Sequence, residues 1–349
     1  MTAAGIRRTT VVVGFIVASG LLVLLLSVVG VRETVAAIAT ANRLVLTAIV
    51  AIVILWAIAW SRTLSIVLTI LDVEHGTIDG VLLFSDILFA NSVAPSTYLG
   101  VEPLAAYLLT RHTGIDYETS FATISSVDLL NYAPMVPLAG VGICYFTATA
   151  ALGLRIELAL VAVFMVFVVF VGGIVYGWQH RRQVVRGAVV LLGGISSRMS
   201  AIVPGVHAVS PENLERRLEL FVEEVEQVTA DRHNLRHGLA YSTGGWLLLS
   251  SALWLTLYAI GYAVPPEVVL FLVPLGAITN VLPLPGGLGS VESVFILLLV
   301  TTAGVPAPEA TAATLLYRAA TYWLPLLFGV GTVTVLQPIW LRTNTQKAR

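Results

Sequence analysis

Residues 280–292, Asn-Val-Leu-Pro-Leu-Pro-Gly-Gly-Leu-Gly-Ser-Val-Glu, interrupt a strongly apolar region with a run that no helix can traverse. Two prolines and three glycines crowd the stretch from Pro283 to Gly289. Proline removes a backbone donor, and glycine adds conformational freedom that a helix must give up. The arms before the break (268–283) and after it (293–303) are mostly apolar. A membrane-crossing helix needs roughly 20 apolar residues, more than either arm holds, so neither spans alone. The economical reading is a re-entrant hairpin, two half-helices meeting at a broken tip within the membrane. Irregular backbone is tolerated at that depth only where protein or a water-filled cavity covers it. The tip is therefore a candidate site.

That reading presupposes a membrane, and the composition supplies it. Of 349 residues, 57% are hydrophobic and only 11% charged, with a mean hydropathy of +0.91. Soluble domains average about 25% charged residues. The chain reads as an all-α polytopic membrane protein. Its one cysteine, Cys144, rules out an internal disulfide and reads as a small packing residue. Arg7-Arg8 ahead of an apolar run imitates a signal peptide, but the run is longer than a signal core and has no clear small-x-small cleavage site. A retained first helix is expected.

Apolar runs predict spanning helices over residues 11–31, 44–60, 120–150, 158–178, 239–260 and 310–340. Between the second and third lies a polar break with Asp72, Glu74, His75 and Asp79, then a short apolar stretch (81–94) holding Asp86. It ends in Asn91-Ser-Val-Ala-Pro-Ser-Thr-Tyr-Leu-Gly-Val-Glu102-Pro103, followed by another short apolar stretch at 104–110. This is a second broken hairpin. Pro134 and Pro137 are expected kink points of the long third helix. Residues 179–237 form the one sizeable polar insert. With the N-terminus in the cytoplasm and each hairpin returning to the face it entered, fifteen Lys and Arg lie on the cytoplasmic side, three outside (Arg32, Arg43, Arg155), and Arg318 within the membrane. The positive-inside rule expects this asymmetry. Six spanning helices, two hairpins and cytoplasmic termini at the cell membrane follow.

The hairpins look like copies. Superimposing Glu102 on Glu292 without gaps places Gly114 on Gly304, Asp128 on Arg318, Tyr132 on Tyr322 and Pro95 on Pro285. Repeat one is expected over about 42–150 and repeat two over about 239–341, inverted in the topology above and joined in a single transmembrane domain, 1–349. Inverted repeats with paired broken helices are a transporter architecture.

The run Pro-Gly-Gly-Leu-Gly-Ser-Val-Glu292, followed by Ala-Gly-Val-Pro and Leu-Leu-Tyr-Arg318-Ala-Ala-Thr-Tyr-Trp, resembles the lysylphosphatidylglycerol synthase transmembrane-region family. This is the flippase part of the multiple peptide resistance factor, found also as stand-alone YbhN-like membrane proteins. The upstream Asn-x-x-x-Pro…Gly-Val-Glu-Pro-Leu-Ala-Ala-Tyr-Leu-Leu is similar to the family's first-half motif. The resemblance covers nearly the whole chain and implies translocation of a polar lipid. The chain departs from it in having Asp128 where the family often carries a basic residue nearby. No polar segment is large enough for an aminoacyl-transfer domain, so lipid synthesis is not expected.

The glycines at 286, 287 and 289 are no nucleotide fingerprint, since no Lys-Ser/Thr and no βαβ unit accompanies them. They let the backbone turn and helices approach, which is either pure architecture or a substrate cradle. Ser290 could cap a half-helix whose N–H groups favour an anion such as phosphate. Glu102 and Glu292 sit just past the broken tips, where they either cap their helices or serve the transport path. Arg318 needs a partner: Glu292, Asp128 or a lipid phosphate. Asp86 is a weaker candidate facing the cytoplasmic mouth. The six histidines fall in segments read as cytoplasmic and form no metal constellation. In the insert, a helix from Pro211 carries an apolar stripe (Leu214, Leu218, Phe221, Val225, Val228) under an acidic face, better suited to packing on the protein itself than on anionic lipid.

The substrate-binding set read from the sequence is thus Asn91, Pro95, Gly100, Glu102, Asp128, Asn280, Pro285, Gly286, Gly287, Gly289, Ser290, Glu292, Arg318 and Tyr322. The expected function is a flippase moving a polar or anionic lipid, with membrane lipids as partners, a homo-oligomer or separate lipid-modifying enzyme as further partners, and neither a cofactor nor a metal. No nucleic-acid motif is present. The rival readings are a membrane-embedded transferase with Glu292, Glu102 or Asp86 as general base, an ion-coupled carrier of a small solute, and a scaffold.

Overall fold

The computed structural model describes residues 31–93, 101–149, 154–181, 183–185, 187, 211–279 and 286–332. The expected helix at 11–31 lies outside them, save its last residue. The described chain is helical throughout. In order it forms α1 (Val31–Ala39), α2 (Arg43–Ile70), α3 (Thr77–Val93), α4 (Val101–Thr113), α5 (Tyr117–Tyr132), α6 (Met135–Thr149), α7 (Leu154–Gln179), α8 (Pro211–Ala230), α9 (Arg232–Ala259), α10 (Pro266–Ile278), α11 (Ser290–Ala303), α12 (Ala307–Arg318), a π turn over Ala319–Trp323, and α13 (Leu324–Gly331). Among the described residues, Arg43–Ile70 and the Tyr117–Thr149 pair are long and apolar enough to cross a bilayer, while Pro266–Ile278 and Ser290–Ala303 are apolar but shorter.

The molecule is built on α2 and α9, two 28-residue helices packed along their length. Each starts with an acceptor side chain on its first free N–H groups: Asn42 for α2, Asp231 for α9. Tryptophans lock the pair. Trp60 of α2 lies against Gly245 of α9, whose missing Cβ would fall 2.0 Å from the indole nitrogen. The Trp60 indole donates to the Ser242 carbonyl at 3.3 Å, and the ring meets Trp246 edge-on. Trp246 in turn donates to the Asn131 carbonyl at 2.6 Å, and the Ser242 hydroxyl to that of Leu130 at 2.9 Å. Those are terminal carbonyls of α5, which have no partner inside their own helix.

Two boundaries differ from the sequence expectation. α2 continues well past Trp60 through Ser61-Arg62-Thr63 to Ile70, because Ser61 returns its hydroxyl to the Ile58 carbonyl and Thr63 packs buried against α9, leaving Arg62 alone of those three exposed. The expected single helix over 120–150 is two helices broken at Ala133-Pro134. Proline disfavours helical backbone in the residue before it and cannot donate to the preceding turn.

Around the glycine-rich break the chain folds back on itself. α10 and α11 have 13 and 14 residues, about 20 Å each, short of the ~30 Å hydrocarbon core. They lie against each other, with the Phe295 ring seated on Gly276. Helix boundaries recur. When the chain is shifted along itself to bring Glu102 onto Glu292, α2 falls on 233–260, nearly coincident with α9. Likewise α4 falls on 291–303, within α11, and α5 on 307–322, which α12 and the π turn fill. Gly114 and Gly304, the matched helix ends, are both left-handed, with φ of 76° and 64°.

The expected amphipathic helix of the insert is α8, docked on α5. Phe221 meets Phe121, Val228 enters the core beneath α2, and Gln227 donates to the Ile70 carbonyl at the end of α2. Its apolar stripe therefore packs on the protein itself. Half-buried Glu224 sits in this seam beside Glu118 and Glu223, and burial, ahead of those neighbouring charges, raises its pKa above the ordinary value although the Thr119 hydroxyl bonds it. The fold favours the protonated acid. Docking is therefore strongest below the ordinary carboxylate range and weakens as pH rises through the raised value. Protection of the amides of residues 211–230, taken relative to their intrinsic exchange at each pH, is expected to rise on acidification across that window, and Glu224→Gln to remove that rise.

Candidate functional site

The break after α10 ends in a turn whose glycines at 286, 287 and 289 have φ of 56°, 65° and 84°, a region open to glycine and costly to other residues. Glu292 follows Gly289, the N-cap of α11, at the third helical position, and one carboxylate oxygen accepts the Gly289 N–H at 2.6 Å. The carboxylate is thus held at a helix N-terminus, where the dipole favours negative charge. Its other oxygen accepts Nε of Arg318 at 2.7 Å. The Arg318 Nη2 donates to the Gly286 carbonyl at 2.6 Å, and the guanidinium lies over the Tyr322 ring at 4.6 Å from its centre. Arg318 and Glu292 are 9% and 3% exposed. One arginine therefore fastens the tip, carboxylate and carbonyl together, to the end of α12.

Tyr322 carries the site across to the first half of the chain. It sits in the π turn, fills the space that a Gly286 side chain would need, and donates its hydroxyl to the Ser92 carbonyl at 3.0 Å near the end of α3. Beside Ser92 is Asn91, which with Asp128 of α5 lines a cavity of about 20 Å³ shared with Trp60, Phe84, Asn131 and Tyr132. Glu102, half-buried in the first turn of α4, lies near enough for its charge to act on Asp128.

The sequence-derived residues fall into these two groups. Gly286, Glu292, Arg318 and Tyr322 touch directly, with Gly287, Gly289 and Ser290 in the same turn; Asn91 and Asp128 share the cavity, with Glu102 nearby. Pro95, Gly100, Asn280 and Pro285 lie outside the described residues. Of the partners open to Arg318, Glu292 is the one in contact. Two expectations change. Ser290 does not cap α11: Gly289 holds that position, and the Ser290 hydroxyl donates back to the Gly287 carbonyl at 3.0 Å. Asp86 does not face an open mouth. It is 1% exposed, with His112 Nδ1 at 3.0 Å from one oxygen and the Thr332 hydroxyl donating to the other at 3.1 Å. The His112 side chain is buried with it. Sequence reasoning also missed Ser92, whose carbonyl accepts the Tyr322 hydroxyl, and Asn131, which lines the cavity with Asp128.

The sequence pattern of the family described as "Lysylphosphatidylglycerol synthase TM region" matches residues 11–329. Two proteins of Methanothermobacter thermautotrophicus, each named "UPF0104 membrane protein", are similar to the chain. One is 27% identical over 248 residues, covering 70% of this chain and 71% of its own. The other is 26% identical over 290 residues, covering 80% and 78%. The match takes in both the Glu292–Arg318 tip and the Asp128 cavity, and on it this chain is a membrane protein of the lysylphosphatidylglycerol synthase transmembrane-region family.

Proposed function

We propose that the protein is a lipid translocase of the cell membrane that moves a polar or anionic lipid between leaflets, with both termini cytoplasmic. The observation that carries this reading is the Arg318 fork on the tip. Of its five N–H donors, two are used, on Glu292 and the Gly286 carbonyl. The rest have no acceptor among the described residues, and a guanidinium binds phosphate and carboxylate in the same two-pronged way. A lipid phosphate arriving at the tip can take donors that Glu292 holds at rest. The recurrence of helix boundaries under the Glu102-to-Glu292 shift supports duplicated halves, and opposed, re-entrant hairpins would let them open in turn.

Carriage is favoured over catalysis at this site. Both oxygens of Glu292 are engaged, one by the Gly289 N–H and one by Arg318, which leaves it poorly placed to accept a proton from a substrate. Purified protein in liposomes loaded with a fluorescent anionic phospholipid is expected to speed the appearance of label in the opposite leaflet, read by dithionite quenching. Transfer no faster than in protein-free vesicles, from protein shown to be folded, would end the translocase reading.

A further inference from the structure

The first half of the chain holds a half-buried carboxylate without the cation its counterpart has. With Glu102 set on Glu292, Asp128 takes the place of Arg318. In the second half arginine answers glutamate; in the first, both groups are acids that repel one another. No donor or cation among the described residues bonds the Asp128 carboxylate, which looks onto the 20 Å³ cavity. Such a group is costly in apolar surroundings unless a counter-charge joins it.

Three features identify the counter-charge. Asn131, 2% exposed, lines the same cavity, and its side-chain oxygen has no hydrogen-bond partner. A half-turn of that amide exchanges oxygen for nitrogen with no change of shape, so either can face the cavity. Asn91 supplies a second amide, making a set of oxygen donors that suits a hard cation. One carboxylate on the wall matches one positive charge, Glu102 lying off it. The volume admits one body the size of a water molecule, which needs about 10–15 Å³, and no lipid headgroup. The rest of the lining is apolar, the rings of Trp60, Phe84 and Tyr132 with the aliphatic side chains of Ile87, Leu88, Ile124 and Val127. We propose that this cavity is a binding site for a single alkali cation, sodium, held by Asp128 with the amides of Asn91 and Asn131.

A role for sodium as coupling ion rests on the translocase reading; the occupancy does not. Thermal unfolding of the full chain in detergent, with sodium chloride replaced stepwise by choline chloride at constant ionic strength, tests it without any lipid transfer. The melting temperature is expected to rise with sodium and saturate, as linkage to a bound ligand requires. Asp128→Asn should abolish the response, and Asn131→Ala should raise the half-saturating concentration about tenfold, the worth of one ligand of ~1.4 kcal/mol. Equal melting in both salts, or an undiminished sodium shift in Asp128→Asn, overturns the proposal. A response to pH alone that Asp128→Asn removes would give the cavity to a proton and overturn it equally.

Discussion

Arg318→Ala should cost about 3–5 kcal/mol of stability, the range for breaking a buried ion pair from one side. The loss has two sources. The Glu292 carboxylate, 3% exposed, is stranded without its cation, and the Gly286 carbonyl loses its donor. Adding Glu292→Gln removes the stranded charge, so the double variant should recover much of the loss. Adding Asp128→Ala instead should recover none, since Asp128 is not the partner. Arg318→Lys keeps the charge but cannot reach Glu292 and Gly286 with one planar group. It should stay folded in detergent and lose most of its lipid transfer. Chemical denaturation of these four variants and of Glu292→Gln alone, read beside the liposome assay, decides the matter. Strictly additive losses for Arg318→Ala and Glu292→Gln, with normal transfer by Arg318→Lys, would make the pair a packing feature only.

The second large effect is expected at Gly286. A Cβ there would lie 2.0 Å from the Tyr322 ring, on a backbone with φ of 56°. The left-handed conformation costs a residue with a side chain about 1–2 kcal/mol, and overpacking typically ~1–3 kcal/mol more. Gly304→Ala separates these costs. Gly304 has nearly the same φ, 64°, but open space around it, so only the conformational cost applies. In a Tyr322→Ala background, Gly286→Ala should cost no more than Gly304→Ala does in the parent. A penalty unchanged by Tyr322→Ala would mean that the ring does not brace the tip.

What could be read in advance was whatever one stretch of chain carries by itself. Prolines and glycines at 283–289 announce a break wherever they occur, and the Glu292 and Arg318 charges in apolar runs had to find partners. Glutamate, glycine and tyrosine recur at matched places under the Glu102-to-Glu292 shift, and the helix boundaries recur with them. Contacts between distant helices left no such trace. Asp86 meets His112 and Thr332 across α3, α4 and the end of α13, and periodicity in any one of them is silent about the others. α2 outran its expected end because Ser61 and Thr63 hide their hydroxyls within helical contacts, which a hydropathy count scores as exposure. The role given to Ser290 fell to a neighbour for a local reason: Gly289 already occupies the cap, and the longer Glu292 reaches its N–H.

The tryptophan contacts between α2 and α9 have a kinematic consequence. An indole N–H bonded to a specific carbonyl is a register mark, and a slide of α2 along α9 by one helical turn, ~5.4 Å, would move Trp60 off the Ser242 carbonyl and drive its ring out of the notch at Gly245. A helix pair keyed at such points resists shear. Displacement is then left to the breaks at Ala133-Pro134, at residues 286–289 and in the π turn over Ala319–Trp323, each of which interrupts an α-helical ladder. In the proposed transport cycle the short segments would swing, with the long pair as the fixed axle about which they do so.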